Sequence, residues 1–448
     1  MSEAVTLAPV HPQLSVRQRF PRALVWLLIL APLFFATYSL ANWFTSQRAD
    51  VGTLVFAWEH HTPFWAWTIV PYWSIDLLYG LSLLLCSSRH ELDIHARRLL
   101  SAQVLAIAGF LLFPLTYTFA RPEMTGFFAW MFEVLMGFDK PFNQAPSLHI
   151  VLLIVLWVRY AAHTPKGLLR WLLHIWFGLI GLSVLTTYQH HFIDLPTGIL
   201  VGWLCIWLWP LDRPSPLAHL RWQAQAKGRR LAFYYGLGGL ALGALGVSVG
   251  GLGWWLTWPA TALVLVALNY LLVGAAGFQK HADGALSWAT NFLFGPYLIG
   301  AWVNSRLWTA RQPALVLVMD DVWLGRIPNK GELDGMPIRA IVDLCAELPC
   351  TSAGCAYHNL PTLDLLPPSP ELLQAAAKAI EQARQQGPVL VCCALGYSRS
   401  AAAVAAWLLT TGRAADPQAA EALLRQARPG VVLREEHRRN LAAVGVET

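Results

Sequence analysis

Charged side chains are scarce in this sequence. Asp, Glu, Lys and Arg make up 13% of its 448 residues, whereas 56% are hydrophobic and 22 are Trp. A soluble domain carries about 25% charged residues. The composition therefore excludes a wholly soluble protein and indicates an integral membrane protein with a soluble part, because charged residues gather after Val303. A chain of this length has room for two or three domains.

The sequence also lacks any Cys-x2-Cys spacing, and its number of cysteines is odd. These features exclude a disulfide framework and a structural zinc site, so we expect no metal and no cofactor, and a reducing compartment around the cysteines. The net charge of +6 comes mostly from basic residues at the borders of apolar segments, so we expect no nucleic-acid partner. The seven cysteines are Cys86, Cys205, Cys345, Cys350, Cys355, Cys392 and Cys393.

Six apolar segments of spanning length fill the first half of the chain. Basic residues before the first segment and in alternate connections place the N-terminus in the cytoplasm and the other connections outside. We interpret the first segment as a retained helix, because no small-residue cleavage site follows it. The segments are Ala23–Phe44, Ile69–Cys86, Leu99–Ala120, Leu148–Ala162, Leu169–Tyr188 and Leu195–Pro210.

A basic connector and two more apolar segments come next. Leu231–Val249 and Leu252–Val273 predict a helical hairpin, and glycines at small-residue spacing in the first allow close packing. Leu286–Val303 contains Asn291 and Pro296, which favour an interfacial or re-entrant segment over a span. With eight spans the C-terminal tail lies in the cytoplasm, where its thiols stay reduced; a ninth would place it outside.

A short stretch near the end of the chain carries a pattern suited to binding an anion. Pro388–Val391 predicts a buried strand and Ser400–Thr411 a helix, so backbone N–H groups and a helix dipole point into the loop between them. Cys393 opens this loop, and the positive field favours its nucleophilic thiolate. Arg399 closes it and can hold two oxygens of a phosphoryl group, while Gly396 lets the backbone turn.

The pattern Cys-x2-Gly-x2-Arg-Ser in this setting resembles the cysteine-dependent protein tyrosine and dual-specificity phosphatase superfamily. The resemblance implies an α/β domain, a central sheet flanked by helices, in which Cys393 attacks phosphorus and Arg399 stabilises the developing charge. It also implies that Asp364 protonates the leaving oxygen and that Ser400 assists breakdown of the cysteinyl phosphate. Cys392 stands where the family usually has His, so the hydrogen-bond support of the loop is expected to differ. The residues expected around the phosphate are Ala394, Leu395, Gly396, Tyr397 and Ser398.

A second set of chemical residues lies in the connections predicted to face outward. Pro146-Ser147-Leu148-His149 enters the fourth segment, and His190 to Asp194 forms the next outer turn. If this turn is helical, the four-residue spacing puts His190 and Asp194 on one face. The two motifs resemble the type 2 phosphatidic acid phosphatase superfamily, which implies that His190 attacks phosphorus, Asp194 orients its imidazole and His149 protonates the leaving group. The family's first motif survives as Arg121-Pro122, so Arg121 is the expected phosphate contact.

Two of this family's phosphate-binding cations are missing. Val184 stands in place of the motif arginine and Pro114 in place of the lysine, and Leu148 replaces the motif glycine. The Gln189-His190 pair looks closer to the branch of sphingolipid phosphotransferases. Transfer of a phosphoryl head group to a lipid alcohol is therefore as plausible as hydrolysis.

The sequence as a whole predicts a two-headed membrane phosphatase. Its expected domains are a six-helix membrane domain over 1–212, a connector with hairpin and interfacial segment over 213–312, and a phosphatase domain over 313–448. We expect an integral protein of a bacterial inner membrane, with the cysteine site cytoplasmic and the His/His/Asp site outward. Expected substrates are phospholipids, with phosphoproteins as the alternative for the tail, because Tyr397 stands where lipid-directed members often carry a basic residue. A third hypothesis is a phospho-group-binding scaffold, and no pattern specifies an oligomeric state.

Overall fold

The computed structural model describes residues 15–352 and 354–444 and divides into two compact units, Met1–Ala218 and His219–Thr448. Residues 1–14 and 445–448, at the ends of the predicted membrane and phosphatase domains, lie outside the described residues. The first unit extends six residues beyond the domain predicted over 1–212, and the second contains the rest of the predicted connector together with the predicted phosphatase domain. The predicted boundaries near residues 212 and 313 stay predictions.

The first unit is helical. Side-chain caps begin two of its helices: Ser88 accepts from the Glu91 N–H at 3.1 Å, and Ser147 accepts from the Ile150 N–H at 3.4 Å. The helices are α1 Val16–Ser46, α2 Ile69–Leu85, α3 Arg89–Leu112, α4 Phe127–Phe138, α5 Leu148–His163, α6 Leu168–Thr186 and α7 Asp194–Leu208.

Two features of this unit differ from the sequence-based expectation. The third predicted segment, Leu99–Ala120, is wrong beyond Leu112, where α3 ends, because Pro114 lacks a backbone N–H and disfavours helical geometry in the residue before it. Helix α4 was not predicted from the sequence. Its 12 residues are too few to span a bilayer, and it follows Gly126, whose φ is 82°. Helices α5 and α7 approach closely at Gly198, where an added Cβ would lie 2.9 Å from the Ser147 carbonyl oxygen.

Several helices are suited to a membrane. Within the described ranges, five are long and apolar enough to cross one: Arg17–Ser46, Ala66–Leu85, Leu168–Thr186, Ala226–Val249 and Gly251–Phe278. Three shorter apolar helices are Phe127–Phe138, Leu148–His163 and Asp194–Leu208. Two predicted spans thus correspond to shorter helices, and the count of eight spans stays a prediction.

The second unit begins with the helical hairpin that the apolar segments predicted. Its tight packing comes from glycine: an added Cβ at Gly239 would lie 2.9 Å from the Ala260 carbonyl oxygen. The predicted interfacial segment forms two helices that meet at Phe294. The elements are α8 Ala226–Val249, α9 Thr257–Leu268, a π turn Asn269–Val273, a 3₁₀ turn Gly274–Phe278, α10 Trp288–Leu293 and α11 Gly295–Thr309.

A mixed sheet with flanking helices completes the second unit, as the α/β expectation required. In the described residues its strand order is β1-β2-β5-β3-β4, with β1 antiparallel to β2 and the other pairs parallel. The strands are β1 Leu315–Met319, β2 Val322–Arg326, β3 Ala340–Cys345, β4 Ala356–Thr362 and β5 Val389–Cys393. The helices are α12 Pro370–Arg384, α13 Arg399–Thr410, α14 Pro417–Ala427 and α15 Glu435–Val444.

The central strand β5 positions the candidate site. All five of its residues are buried, because strands pair with both of its edges and a hydrophobic cluster packs on each face of the sheet. Helix α13 is buried from Arg399 to Leu408, and its run of alanines allows it to lie close against the sheet. Cys393, the last residue of β5, therefore lies at the carboxyl edge of the parallel strands, where ligand sites of α/β folds lie.

Candidate active site

The candidate nucleophile lies at the junction of β5 and the loop before α13. Cys393 is 2% exposed. The Gly396 backbone N–H and the Ser400 hydroxyl each donate a hydrogen bond to its Sγ atom at 3.2 Å. Two donors thus converge on the sulfur, an arrangement that suits a sulfur nucleophile.

Gly396 is required by the path of this loop. Its φ is 74°, in the left-handed region, and an added Cβ would lie 2.5 Å from the carbonyl carbon of Gly325 on β2. Backbone of β2 therefore limits the space behind the loop. The prediction of a glycine-dependent turn is confirmed in geometry.

The loop is held from outside through its carbonyl groups and side chains. Arg428 donates to the Leu395 carbonyl at 3.1 Å, and its guanidinium lies 5.0 Å from the centre of the Tyr397 ring. Ser398 donates to the Val432 carbonyl at 2.9 Å. The Ala394 carbonyl accepts from Ser305 of α11 at 2.5 Å. That the N–H groups of this loop bind phosphate stays a prediction.

Arg399, the first residue of α13, is held by carboxylates. Its Nη1 and Nη2 atoms donate to the two carboxylate oxygens of Glu347 at 2.9 and 2.7 Å, and both side chains are 2% exposed. Nη1 also donates to the Thr362 carbonyl at 2.8 Å. Although burial opposes its charge, Glu347 and Asp364 raise the pKa of Arg399 well above its ordinary value. The guanidinium is therefore a fixed cation, and it lies on the residue directly before Ser400, whose hydroxyl contacts Cys393.

The candidate general acid reaches the same arginine. Asp364 follows β4 and accepts from Arg399 Nη2 at 2.9 Å, and its side chain is 29% exposed. Burial raises the pKa of its carboxyl group, and the neighbouring Glu347 adds to the rise, while Arg399 opposes it. A carboxyl group with a raised pKa keeps its proton to higher pH, as a general acid needs.

The cysteine that replaces the family's histidine belongs to a buried polar cluster. Cys392 lies opposite Asp343 in the β3–β5 register, and ligand atoms of Asp343, Cys350 and Cys392 lie within 4.8 Å of one another. The Lys280 ammonium contacts Asp343 at 2.5 Å and the Cys345 carbonyl at 2.7 Å. A hydrogen bond with Cys350, together with burial, raises the pKa of Cys392. Because the Lys280 ammonium already contacts the Asp343 carboxylate, the cluster suits a hydrogen-bonded support for β5.

Glu347 and Lys280 were missed by sequence reasoning. Each is a single charged residue, and Glu347 stands within Ala346-Glu347-Leu348-Pro349 directly after a buried strand. A lone carboxylate in an apolar run at a strand's carboxyl end is a usable signal, because buried charges need a partner.

In the first unit, the predicted histidines and aspartate come together. His190 Nδ1 lies 3.1 Å from Asp194 Oδ2, and His149 interacts electrostatically with His190. A carboxylate only accepts, so Nδ1 carries the proton and Nε2 is left as the basic nitrogen. The chain is not helical at His190, because α7 begins only at Asp194. The contact between His190 and Asp194 therefore joins the turn before α7 to the first residue of that helix.

Arg121 lies beside this group, but two of its nitrogens donate to backbone carbonyls and Nη1 contacts Met136 Sδ. Its Nε donates to the Thr187 carbonyl at 2.9 Å and its Nη2 to the Tyr188 carbonyl at 2.5 Å. Two acidic groups that sequence reasoning missed also lie here. Asp139 accepts from the Tyr38 hydroxyl at 2.7 Å, and Glu59 accepts from the Phe192 N–H at 2.8 Å. Phosphate binding by Arg121 stays a prediction.

Comparison with known proteins identifies the class of the domain that contains Cys393, Arg399 and Asp364. Residues 324–446 match the family described as the catalytic domain of dual specificity phosphatases. The C-terminal part of the chain therefore carries a dual-specificity phosphatase domain, which indicates hydrolysis of phosphate esters.

Solved structures similar to the chain cover about a third of it. Tk-PTP in its active form is 28% identical over 30% of this chain and 99% of that chain, with a TM-score of 0.28. PTPMT1 in complex with PI(5)P is 22% identical over 30% and 96%, with a TM-score of 0.28. Human DUSP28 is 23% identical over 30% and 95%, with a TM-score of 0.27. None of the curated proteins matches the chain. The resemblance of the first unit to phosphatidic acid phosphatases stays a prediction.

Proposed function

We propose that this chain is a membrane-bound phosphatase that hydrolyses lipid phosphomonoesters at Cys393. One observation carries the proposal: Cys393 receives hydrogen bonds from Gly396 and Ser400, while Arg399, the residue before Ser400, binds Asp364. Nucleophile, cation and acid are the parts that a two-step phosphoryl transfer needs.

The chemistry follows from these positions. The Cys393 sulfur attacks phosphorus, an S–P bond forms, and the P–O bond to the alcohol breaks as Asp364 gives its proton to the leaving oxygen. Arg399 binds the equatorial phosphoryl oxygens, exchanging its contact with Asp364 for the substrate. Water then attacks the cysteinyl phosphate, Asp364 takes back a proton, and Ser400 donates to the departing sulfur.

Lipid substrates are favoured by how the site is tethered. The apolar hairpin formed by Ala226–Val249 and Gly251–Phe278 belongs to the same compact unit as the candidate catalytic residues, and both arms are apolar and long enough to cross a membrane. A phosphatase fixed at a bilayer meets lipid phosphates at high effective concentration. A phosphorylated Tyr, Ser or Thr of a protein is the alternative, and a phospho-group-binding scaffold is the second alternative.

For the first unit we propose phosphoryl transfer from a lipid by His190, oriented by Asp194 and assisted by His149. The 3.1 Å contact between His190 and Asp194 supports it. The acceptor is water or a second lipid alcohol. We further propose that the His190 site faces outward and the Cys393 site faces the cytoplasm of a bacterial inner membrane.

The test is phosphate release by the detergent-solubilised chain from phosphatidic acid, phosphatidylglycerophosphate and a phosphotyrosine peptide. Wild type is compared with Cys393→Ser and His190→Ala. Loss of different lipid activities in the two variants supports two lipid phosphatase sites. If Cys393→Ser abolishes only peptide turnover and His190→Ala changes nothing, the tail is a protein phosphatase. Substrate binding without Cys393-dependent turnover in the wild type would support the scaffold alternative.

A further inference from the structure

The backbone of the candidate acid is contacted by a residue that precedes the catalytic domain. Tyr270 lies in the π turn after α9, is 1% exposed, and donates its hydroxyl to the Asp364 carbonyl at 2.8 Å. Its ring stacks on Tyr235 of α8 with centroids 5.4 Å apart, and Tyr235 meets Tyr297 of α11 edge-on at 5.8 Å. Three helical segments thus bring tyrosines together beside the Asp364 turn.

Other contacts fix these helices against the catalytic loop. Ser305 of α11 donates to the Ala394 carbonyl at 2.5 Å. The next residue, Arg306, donates to the Ile327 carbonyl at 3.0 Å and to the Asn329 side chain at 2.6 Å. The contact of Tyr270 with Asp364 is therefore one part of a broad attachment.

The turn that holds Asp364 needs such a contact. The following residue, Leu365, has a φ of 61°, a left-handed conformation that a branched side chain rarely adopts. At one end Asp364 is bound through its carboxylate to Arg399 at 2.9 Å, and at the other through its carbonyl to Tyr270. When substrate displaces the contact with Arg399, Tyr270 remains to hold the residue.

We infer that Tyr270 is a positioning residue for the general acid Asp364, and that the membrane hairpin is thereby a working part of the phosphatase site. The inference rests on the proposed function. Tyr270 does not touch the phosphoryl group; it keeps the carboxyl group of Asp364 directed at the leaving oxygen. The hairpin then contributes to proton transfer as well as to attachment.

The leaving group distinguishes this role from a structural one. An alkoxide leaves only as it is protonated, whereas nitrophenolate is stable without a proton and needs the acid little. A misplaced acid therefore slows hydrolysis of an alkyl phosphate and spares an aryl phosphate. Loss of folded enzyme slows both equally.

The variants follow from the contacts. Tyr270→Phe removes the hydroxyl and keeps the ring on Tyr235. Tyr234→Phe is the matched control, because Tyr234 lies next to Tyr235 on α8 and its side chain is 58% exposed. Asp364→Asn supplies a background that has already lost the proton. All are assayed as the full chain in detergent, with phosphatidylglycerophosphate and nitrophenyl phosphate.

We expect Tyr270→Phe to lower kcat for phosphatidylglycerophosphate ~10-fold and kcat for nitrophenyl phosphate less than ~2-fold. Tyr234→Phe should match wild type. In the Asp364→Asn background, Tyr270→Phe should add no further loss. An equal loss on both substrates, no loss on either, or an additive loss in that background would overturn the role of Tyr270 alone. Turnover that persists in Cys393→Ser would overturn the proposed function, and this inference with it.

Discussion

Replacing Glu347 tests whether a buried carboxylate sets the position of the catalytic arginine. Glu347→Gln keeps the shape of the side chain and removes its charge. Arg399 would lose the charged partner of its hydrogen bonds at 2.9 and 2.7 Å, in a site where both side chains are 2% exposed. The guanidinium would then turn toward Asp364, the remaining carboxylate within reach.

The remaining contacts of Arg399 determine how much free energy the Glu347→Gln substitution is expected to cost. Removing one partner of a buried ion pair costs about 3–5 kcal/mol. Asp364 and the Thr362 carbonyl still accept from Arg399, so we expect the lower end, about 3 kcal/mol. Since 1.36 kcal/mol is a factor of ten in rate, kcat/KM would fall roughly 100-fold if the loss falls on the transition state. A loss that falls on folding appears as a lower thermal midpoint.

The assay measures kcat/KM and the thermal midpoint of the full chain in detergent, with nitrophenyl phosphate. Glu371→Gln is the control, because Glu371 is an exposed acidic residue in the first turn of α12. A Glu347→Gln enzyme that keeps kcat/KM within about twofold and an unchanged midpoint would refute the argument that this ion pair positions Arg399.

Three further outcomes are expected. Gly396→Ala should lower the free energy of unfolding by about 2–5 kcal/mol and abolish turnover. The reason is that residue 396 has a φ of 74° and that an added Cβ would lie 2.5 Å from the Gly325 backbone. An unchanged thermal midpoint would contradict this prediction. Ser400→Ala removes a hydrogen bond to Cys393 and should slow breakdown of the cysteinyl phosphate, giving a burst of product followed by a roughly 10-fold slower steady rate. Stopped-flow release of nitrophenolate without a burst would count against this prediction. Because burial raises the pKa of Asp364, kcat should stay high below that raised pKa and fall as pH rises through it; Asp364→Asn should flatten that limb of the profile.

Sequence reasoning succeeded where the information is local. The apolar run Pro388–Val391 and the alanine-rich stretch after Arg399 predicted β5 and α13 to within two residues, because strand and helix periodicity are read over a few neighbours. The loop between them followed, and with it the proximity of Cys393, Gly396 and Ser400.

The partners of those residues could not be predicted in the same way. Glu347 is 52 positions from Arg399, Tyr270 is 94 positions from Asp364, and Lys280 is 63 positions from Asp343. Pairing over such distances is decided by tertiary packing, which periodicity does not encode. In the first unit, the resemblance to the phosphatidic acid phosphatase motif anticipated the pairing of His190 with Asp194, although the helical spacing argued for it was wrong, and Asp139 and Glu59 were not anticipated.

The ion pair between Lys280 and Asp343 links the segment after the apolar hairpin to strand β3 of the phosphatase domain. Both side chains are at most 1% exposed, and although burial opposes its charge, Asp343 raises the pKa of Lys280 above its ordinary value. A fragment cut at residue 313 would leave Asp343 inside the sheet without its cation, at a cost of about 3–5 kcal/mol, a large share of the stability of a single domain. The matched stretch 324–446 therefore lacks the cation of this buried pair, and we expect it to be less stable on its own than the whole second unit, with a lower thermal midpoint.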